Sequence, residues 1–417
     1  MKFYDVVIVG ASFSGLTLAH HLPQNFNVLV VDIKPEPGSS VESTGLITEK
    51  TRKEFASFFA IDRYLTNPIS AICVVAPNYD DYFVSQVEKP WIYQTDTKAL
   101  VRALAQMVPP NVQVQSQTVF TGVESTGDFL TVRIQKKGEP AEVIQTRFLV
   151  GADGGHSKVA ASVPELDQNK RFLFGYEQVF FGEVSLGPRP EETIYHFWFG
   201  EFSLGYGGWL SPTIVDGKKA FRVGLAKLAA DRGQAKNLMT QFLEILQKRG
   251  IIRIEGEINQ PGYVFGSMIP MGGALRIIFH KNILLIGDAA GFCGAFAADG
   301  IKGSVISGKE AAPLIANYLD GDLSAPGKLH VRMNVHGNVM QYYAKQLRYR
   351  WVWDQMKRNR TFRAMYDIIA AECDSFLEQF CDSKDSRKSL ARTILKWRHV
   401  PKLVRYVMFL LADMLSK

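Results

Sequence analysis

The segment Gly10-Ala11-Ser12-Phe13-Ser14-Gly15 constrains this chain more than any other six residues. It follows an apolar, β-branched run from Phe3 to Val9, and it precedes Leu16, Leu18, Ala19 and Leu22, whose spacing is helical up to Pro23. The pattern predicts strand, tight turn, helix. Gly10 permits the turn, Ser12 puts a small residue where the middle glycine usually stands, and Gly15 lets helix and strand approach closely. The helix start then offers free N–H groups and a positive dipole end to an anion. A second run, Asn27-Val28-Leu29-Val30-Val31-Asp32, reads as a buried parallel strand ending in an acid 22 positions after Gly10. Asp32 is placed to accept from ribose hydroxyls, with Ile33 and Lys34 beside it. A lone glycine string would be weak evidence, and a plain strand-to-helix turn is its bland alternative. Strand, helix, second strand and acid in register point to a dinucleotide.

A chain of 417 residues that is 47% hydrophobic can bury a large core in two or three structural units. The acid Asp5 inside the first apolar run, with no small-residue cleavage site after it, argues against a secretory signal. Cys73, Cys293, Cys373 and Cys381 are widely spaced, without metal-ligand or disulfide-scaffold patterns, so no metal is expected and a reducing cytoplasm fits best. The longest apolar stretch, near Tyr406 to Leu411, is cut by Arg405 and Asp413 and is too short to span a bilayer. The net charge of +7 is unevenly placed: residues 341–417 hold 16 Lys/Arg against 8 Asp/Glu. A basic tail, rather than a basic groove, points away from nucleic acid. It is compatible with acidic lipid, with a partner, and with a merely solvated helical face.

Further along, short extended segments occupy about 69–91, a helix runs from about Thr97 to Met107 and stops at Pro109-Pro110, and a meander covers roughly 111–149 with turns at Gly127-Asp128 and Lys137-Gly138. From Phe172 to about Lys227, aromatic-rich segments alternate with Gly and Pro, which predicts a separate antiparallel sheet. Leu238, Phe242, Ile245 and Leu246 mark an amphipathic helix beside it. The first sheet returns at Asn282-Ile283-Leu284-Leu285-Ile286-Gly287-Asp288, so the dinucleotide domain is discontinuous. The division expected is 1–70, 96–168 and 268–325 for that domain, 71–95 and 169–267 for a substrate domain, and 326–417 for a basic helical region. The fold class is α/β, α+β overall.

Two further motifs carry a resemblance. Gly151-Ala152-Asp153-Gly154-Gly155-His156-Ser157 is similar to the A-D-G-x-x-S segment, and Ile286-Gly287-Asp288-Ala289-Ala290 to the G-D-A-A segment, of the FAD enzymes of the aromatic hydroxylase and geranylgeranyl reductase superfamily. The resemblance covers about residues 1–325 and implies a Rossmann-type FAD domain, with Asp153 near the pyrophosphate and Asp288 on the ribityl chain; an N-cap on the following helix is the other role open to Asp288. The run from Gly291 to Lys302 is most similar to the reductase group's P-x-x-G-x-G-I. Ala295 stands for the proline and Ala298 for the first glycine, while Gly300 and Ile301 match. A helix beginning at Gly300 would aim N–H groups at the flavin N1/O2 edge.

Tyr206 to Pro212 resembles the reductases' Y-x-W-x-F-P pocket wall, with Trp209 and Pro212 matching. Trp209 as a plain core aromatic is the alternative. Val41-Glu42-Ser43-Thr44-Gly45-Leu46 occupies the place of a C-G-G-G-L-like loop, so Thr44 and Gly45 join the cofactor candidates while the cysteine is absent; Cys293 is a spatial substitute or an inert core thiol. Asp96-Thr97 stands where relatives often have an acid-arginine pair. His156 and His196 are proton-donor candidates or structural histidines. The tail interleaves Lys388, Arg392, Lys396, Arg398, Lys402 and Arg405 with Ile394, Leu395, Trp397, Leu403, Val407, Met408, Leu410 and Leu411, a mixture suited to an acidic membrane surface or to packing on the FAD domain.

The resemblance implies an FAD-dependent oxidoreductase, with NAD(P)H as a candidate electron donor. The reaction expected from that resemblance is reduction of carbon–carbon double bonds of a hydrophobic, isoprenoid-like substrate, and the location expected is the cytoplasm or, peripherally, the inner face of the membrane. The shared motifs also admit a flavin monooxygenase acting on an aromatic or polyketide-like molecule. The departures at Ala295 and Ala298 and the missing cysteine admit a non-catalytic flavin-binding protein that carries a lipid or regulates a partner. No residue is assigned a catalytic role.

Overall fold

The computed structural model describes residues 1–40, 43–185, 194–215, 217–381 and 395–416. Val41, Glu42, Lys388, Arg392 and Ile394 lie outside the described residues. The chain forms two compact units, one of Met1–Tyr64, Thr95–Phe172 and Met268–Arg348, the other of Leu65–Gln94, Leu173–Ser267 and Tyr349–Lys417.

In the first unit, strand Lys2–Val9 sits at the middle of an eight-stranded sheet. It is flanked in parallel by Val28–Val31 and Ala141–Gly151, beyond which Val112–Gln115 and Ile283–Leu285 extend the parallel array on either side. Val6, Val7, Ile8, Val28 and Val30 have no exposed surface, because a parallel strand is covered on both faces and its apolar run is therefore continuous. The meander forms as Thr118–Thr126, Phe129–Lys136 and Ala141–Gly151. Gly127 and Gly138, at φ +66° and +80°, supply the turns. Helix Phe13–His21 packs against the 20-residue helix Gly300–Leu319, and the contact is lined by small residues. A β-carbon on Gly308 would stand 2.6 Å from the Ser14 carbonyl oxygen.

The second unit is a twisted sheet in the order Ile252–Ile254, Phe172–Val184, Lys218–Leu228, Gly205–Val215, Ile194–Trp198, Ala71–Val75, Tyr82–Gln86. It departs from the expected antiparallel sheet where Ile194–Trp198 pairs in parallel with Ala71–Val75. Parallel neighbours need a long crossover, which the intervening chain supplies. Helix Ala235–Lys248 covers one face through Met239, Phe242, Leu243 and Leu246, a face turned slightly from the expected one in that Met239 and Leu243 are its centre and Ile245 lies at its margin. The edge strand Tyr82–Gln86 is covered by helix Cys373–Cys381. There Phe83 meets Phe376 edge-on at 5.5 Å, and Ser85 Oγ accepts from the Leu377 N–H at 2.9 Å. The C-terminal region is thus shared out: 326–348 groups with the first unit, and from Tyr349 onward with the second.

Candidate cofactor site

The turn after the first strand is built where side chains do not fit. Gly10 has φ +113°, and a β-carbon there would stand 2.2 Å from the Ala152 carbonyl oxygen; one on Gly15 would stand 2.0 Å from the Gly10 carbonyl oxygen. Both positions require glycine. Ser12 caps helix Phe13–His21 without a side-chain hydrogen bond, so the first-turn N–H groups keep their capacity for an anion. Asp32 is buried. Its Oδ2 accepts from the Ala11 N–H at 2.6 Å and its Oδ1 from the Lys34 N–H at 2.8 Å, which ties the end of the second strand to the glycine turn and leaves each oxygen a further lone pair. Ile33 is 64% exposed, and Lys34 Nζ donates to the Ser40 carbonyl at 2.6 Å. Phe13 packs edge-on against Phe55, and Ser14 lies where a β-carbon on Gly287 would meet its Oγ at 2.7 Å; both serve packing.

Gly287 is left-handed at φ +59° and donates its N–H to Ser307 Oγ at 2.9 Å. The Asp288 that follows has a buried Oδ1 with no hydrogen-bond partner. Burial first, and then the Asp299 charge, lift its carboxyl to about 6. A β-carbon on Gly300 would stand 2.8 Å from that same Oδ1. Asp299 precedes helix Gly300–Leu319 as its N-cap but gives it no side-chain cap; its Oδ2 accepts from Tyr342 Oη at 2.7 Å and its Oδ1 is also unpartnered. Two orphaned acceptors beside an uncapped helix start are a cradle for a molecule rich in hydroxyl donors.

The loop from Gly291 to Asp299 is held by helix residues whose role the sequence did not announce. Gln346 Oε1 accepts from the N–H groups of Phe296 and Ala297 at 3.1 and 2.8 Å, and Tyr343 Oη donates to the Phe292 carbonyl at 3.0 Å. Lys302 Nζ lies 4.0 Å from the centre of the Tyr342 ring. Ala298 adopts φ +56°, so the backbone keeps a glycine-like conformation although the glycine is gone. Cys293 is buried, and burial, then Asp288 and Asp299, push its thiol well above the usual range; it is a protonated, inert sulfur. Ile301 is buried in the first turn of the helix.

Asp153 is already committed. Its Oδ1 accepts from Ser157 Oγ at 2.6 Å and its Oδ2 from the N–H groups of Lys158 and Val159 at 2.7 and 3.2 Å, an arrangement that braces its own turn. Gly154, at φ +81°, has open space where a β-carbon would be. Gly45 is left-handed at φ +69°. Its carbonyl accepts from the Thr95 N–H and Oγ1 at 3.0 and 2.9 Å, and a β-carbon on it would stand 2.1 Å from Thr97 Oγ1. The threonine in place of an arginine therefore packs on the Thr44-Gly45 turn.

Tyr206, Trp209 and Pro212 lie in the second unit, on strand Gly205–Val215. The Trp209 indole donates to Glu177 Oε2 at 2.6 Å and lies across Gly224, and Arg222 Nη1 pairs with Glu177 Oε1 at 3.0 Å. Tyr206 meets the Trp209 ring edge-on at 6.2 Å, and the Pro212 carbonyl accepts from Asn67 Nδ2 at 3.4 Å. His196 is fully buried in the sheet's apolar core with neither ring nitrogen partnered, and burial drives it down to about 3; it is a neutral core residue and no proton donor. His156 is exposed and stacks on Phe172 at 4.1 Å.

A family model described as an FAD binding domain matches residues 67–261. Digeranylgeranylglycerophospholipid reductase 1 of Methanothermobacter thermautotrophicus is 26% identical over 340 residues, 77% of this chain and 79% of that protein. Digeranylgeranylglycerophospholipid reductase 2 of Methanosphaera stadtmanae is 22% identical over 401 residues, 94% of this chain and 95% of that protein. Among solved structures, a geranylgeranyl bacteriochlorophyll reductase-like protein of Thermoplasma acidophilum superposes with a TM-score of 0.77 at 17% identity, covering 98% of this chain and all of the other. The p-nitrophenol 4-monooxygenase of Pseudomonas putida gives 0.67 at 14% identity, covering 95% and 100%.

Proposed function

We propose that this chain, which belongs to the FAD-dependent oxidoreductase superfamily of aromatic hydroxylases and geranylgeranyl reductases, saturates carbon–carbon double bonds of an isoprenoid lipid. The observation that carries the reading is the near end-to-end match, over 94% of this chain, to a protein named a digeranylgeranylglycerophospholipid reductase. When bound and reduced, FAD supplies the hydride that such a saturation needs. NAD(P)H is the expected source of its electrons.

The residues present fit that cofactor. The Gly10 to Gly15 turn leads into a helix start whose first-turn N–H groups have no side-chain cap and suit a pyrophosphate, and Asp32 retains lone pairs for ribose hydroxyls. Asp288 Oδ1, orphaned and buried, suits a ribityl hydroxyl; the N–H groups at Gly300 and Ile301 suit the electron-rich edge of a reduced ring system. Asp153 acts at one remove, holding the Gly154 turn in shape through Ser157. Trp209, fixed by Glu177, suits a rigid wall for an apolar chain. Burial keeps the Cys293 thiol protonated, so it is no thiolate nucleophile, and it keeps His196 neutral; the chain's part is to bind, orient and exclude water.

A hydrophobic isoprenoid substrate implies contact with the lipid phase, so peripheral attachment at the inner face of a membrane belongs to the same reading. The test is anaerobic incubation of the photoreduced holoprotein with prenyl lipids. Flavin reoxidation with a product heavier by two hydrogens per bond supports it, and unchanged lipid masses refute it. The likeness to p-nitrophenol 4-monooxygenase favours hydroxylation as the second reading; there, an aromatic compound should stimulate NAD(P)H oxidation with oxygen uptake.

A further inference from the structure

Helix Val400–Leu415 in the second unit is apolar on both sides. Its inward side packs: Tyr406 Oη meets Met356 Sδ at 3.6 Å, and the ring of Phe409 lies beneath the guanidinium of Arg360 at 5.4 Å. Asp413, fully buried, accepts from the N–H groups of Lys357 and Arg358 at 2.9 and 3.1 Å. The opposite side carries Val404, Val407, Met408, Leu411, Met414 and Leu415, between 41% and 84% exposed. At 3.6 residues per turn these six positions fall within one arc of about 120°. An ordinary surface helix turns charge to that side, and this one presents a continuous apolar stripe.

The approach to the helix repeats the pattern with a braced geometry. Lys396 Nζ, the Arg398 guanidinium and His399 Nε2 all reach the Glu372 carboxylate, the first at 3.4 Å and the last at 2.7 Å. With the basic neighbours on either side drawn inward, Trp397 stands 89% exposed and Leu395 71% exposed. The charges of segment 395–416 are Lys396, Arg398, Lys402, Arg405 and Asp413, and the single acid among them is the buried one. In sequence the surrounding residues 341–417 carry 16 Lys/Arg against 8 Asp/Glu.

We propose that Val400–Leu415 and Trp397 dock flat on a bilayer surface bearing anionic lipid, with the apolar stripe at the acyl boundary. Among the described residues no helix is long and apolar enough to cross a membrane, and a 16-residue helix about 24 Å long suits the interfacial plane. An exposed indole at one end of the stripe is the side chain that the membrane–water boundary favours. The charge balance of the region, 16 Lys/Arg against 8 Asp/Glu over residues 341–417, selects an anionic surface. The inference deepens the lipid reading by naming the docking surface, and it stands on the geometry of this unit alone.

The test is co-sedimentation of the full-length holoprotein with phosphatidylcholine vesicles, with and without 30% phosphatidylglycerol, beside the double variant Met408→Gln/Leu411→Gln. The expected result is binding to the anionic vesicles that weakens in high salt and falls at least tenfold in the variant, with an unchanged melting temperature and flavin spectrum. Brominated lipid should quench tryptophan fluorescence in the parent and much less in Trp397→Phe. Equal binding by parent and double variant, or a parent that stays in the supernatant, overturns the proposal. So does a dimer in light scattering that the double variant dissolves without any vesicle binding. Turnover is not read in this experiment, so failure of docking leaves the reductase reading standing, and absence of saturated product from a detergent-dispersed prenyl lipid strikes that reading alone.

Discussion

A β-carbon on Gly224 would stand 2.2 Å from the indole of Trp209, so the ring lies flat over a bare α-carbon while its Nε1 is held 2.6 Å from Glu177. The ring is fixed from below by space and at its edge by a carboxylate. Gly224→Ala should force it aside and destabilise the protein by about 1–3 kcal/mol, as overpacking in a dense interior does. Thermal unfolding reads the cost. An unchanged melting temperature would show that the ring has room to move.

Glu177 is buried against Trp209 and Arg222, and burial raises its carboxyl despite the arginine. Removing its charge while keeping its shape, as in Glu177→Gln, leaves Arg222 with an uncompensated charge, for which about 3–5 kcal/mol is the usual penalty when a buried partner is lost. Arg222 is 18% exposed, so the lower end of that range is expected. A denaturant melt of the variant measures it, and restoration by the further change Arg222→Met would confirm that the pairing is the cause.

Asp288 gives a pH dependence whose sign is fixed. Its folded carboxyl titrates near 6, against 3.8 for the unconstrained group, because of burial and of Asp299. Below about pH 4 the group is protonated in both states and costs nothing; as pH rises through 6 the folded state must ionise a buried acid, and this stabilising difference is lost. Between pH 4 and 7.5 the apoprotein should therefore lose on the order of 2–3 kcal/mol relative to Asp288→Asn. A hydroxyl donated to Oδ1 favours the ionised form, so FAD affinity should rise with pH through 6 in the parent and stay flat in the variant. Parallel pH profiles of the two proteins would defeat the assignment.

How much of this could be seen beforehand follows the range of the interactions. The Gly10 to Gly15 turn and Asp32 were legible because a tight turn and a strand-terminal acid are written in neighbouring residues, and the left-handed turns at Gly127 and Gly138 likewise. Gln346 holding the 296–297 backbone, and Glu177 holding Trp209, join residues 49 or 50 and 32 positions apart and leave no local pattern. His196 in an aromatic strand is open in sequence to a proton-donor or a structural role, and the alternation of that strand decides for the structural one by turning it into the core beside Cys73 and Leu210. In the tail, apolar and basic residues were evident, but which side of the helix packs was decided by Asp413 reaching Lys357 and Arg358.

Ala298 holds φ +56° in the loop that leads to Gly300. A left-handed alanine costs roughly 1–2 kcal/mol through the clash of its β-carbon with the backbone, and glycine avoids that cost while losing some of the gain to a freer unfolded chain. Ala298→Gly should therefore stabilise the protein by up to about 1 kcal/mol, and Ala298→Val should destabilise it by more, since branching at Cβ worsens the same clash. Calorimetric melting of the two variants separates the outcomes. The loop is also held by Gln346, which accepts from the Phe296 and Ala297 N–H groups, so strain and restraint act on adjoining residues. If Gln346→Ala lets the backbone at 298 relax to negative φ, the benefit of Ala298→Gly should vanish in that background. Additive effects in the double variant would mean that the left-handed turn is set elsewhere, by the Ala298 N–H bonded to the Gly294 carbonyl at 2.8 Å.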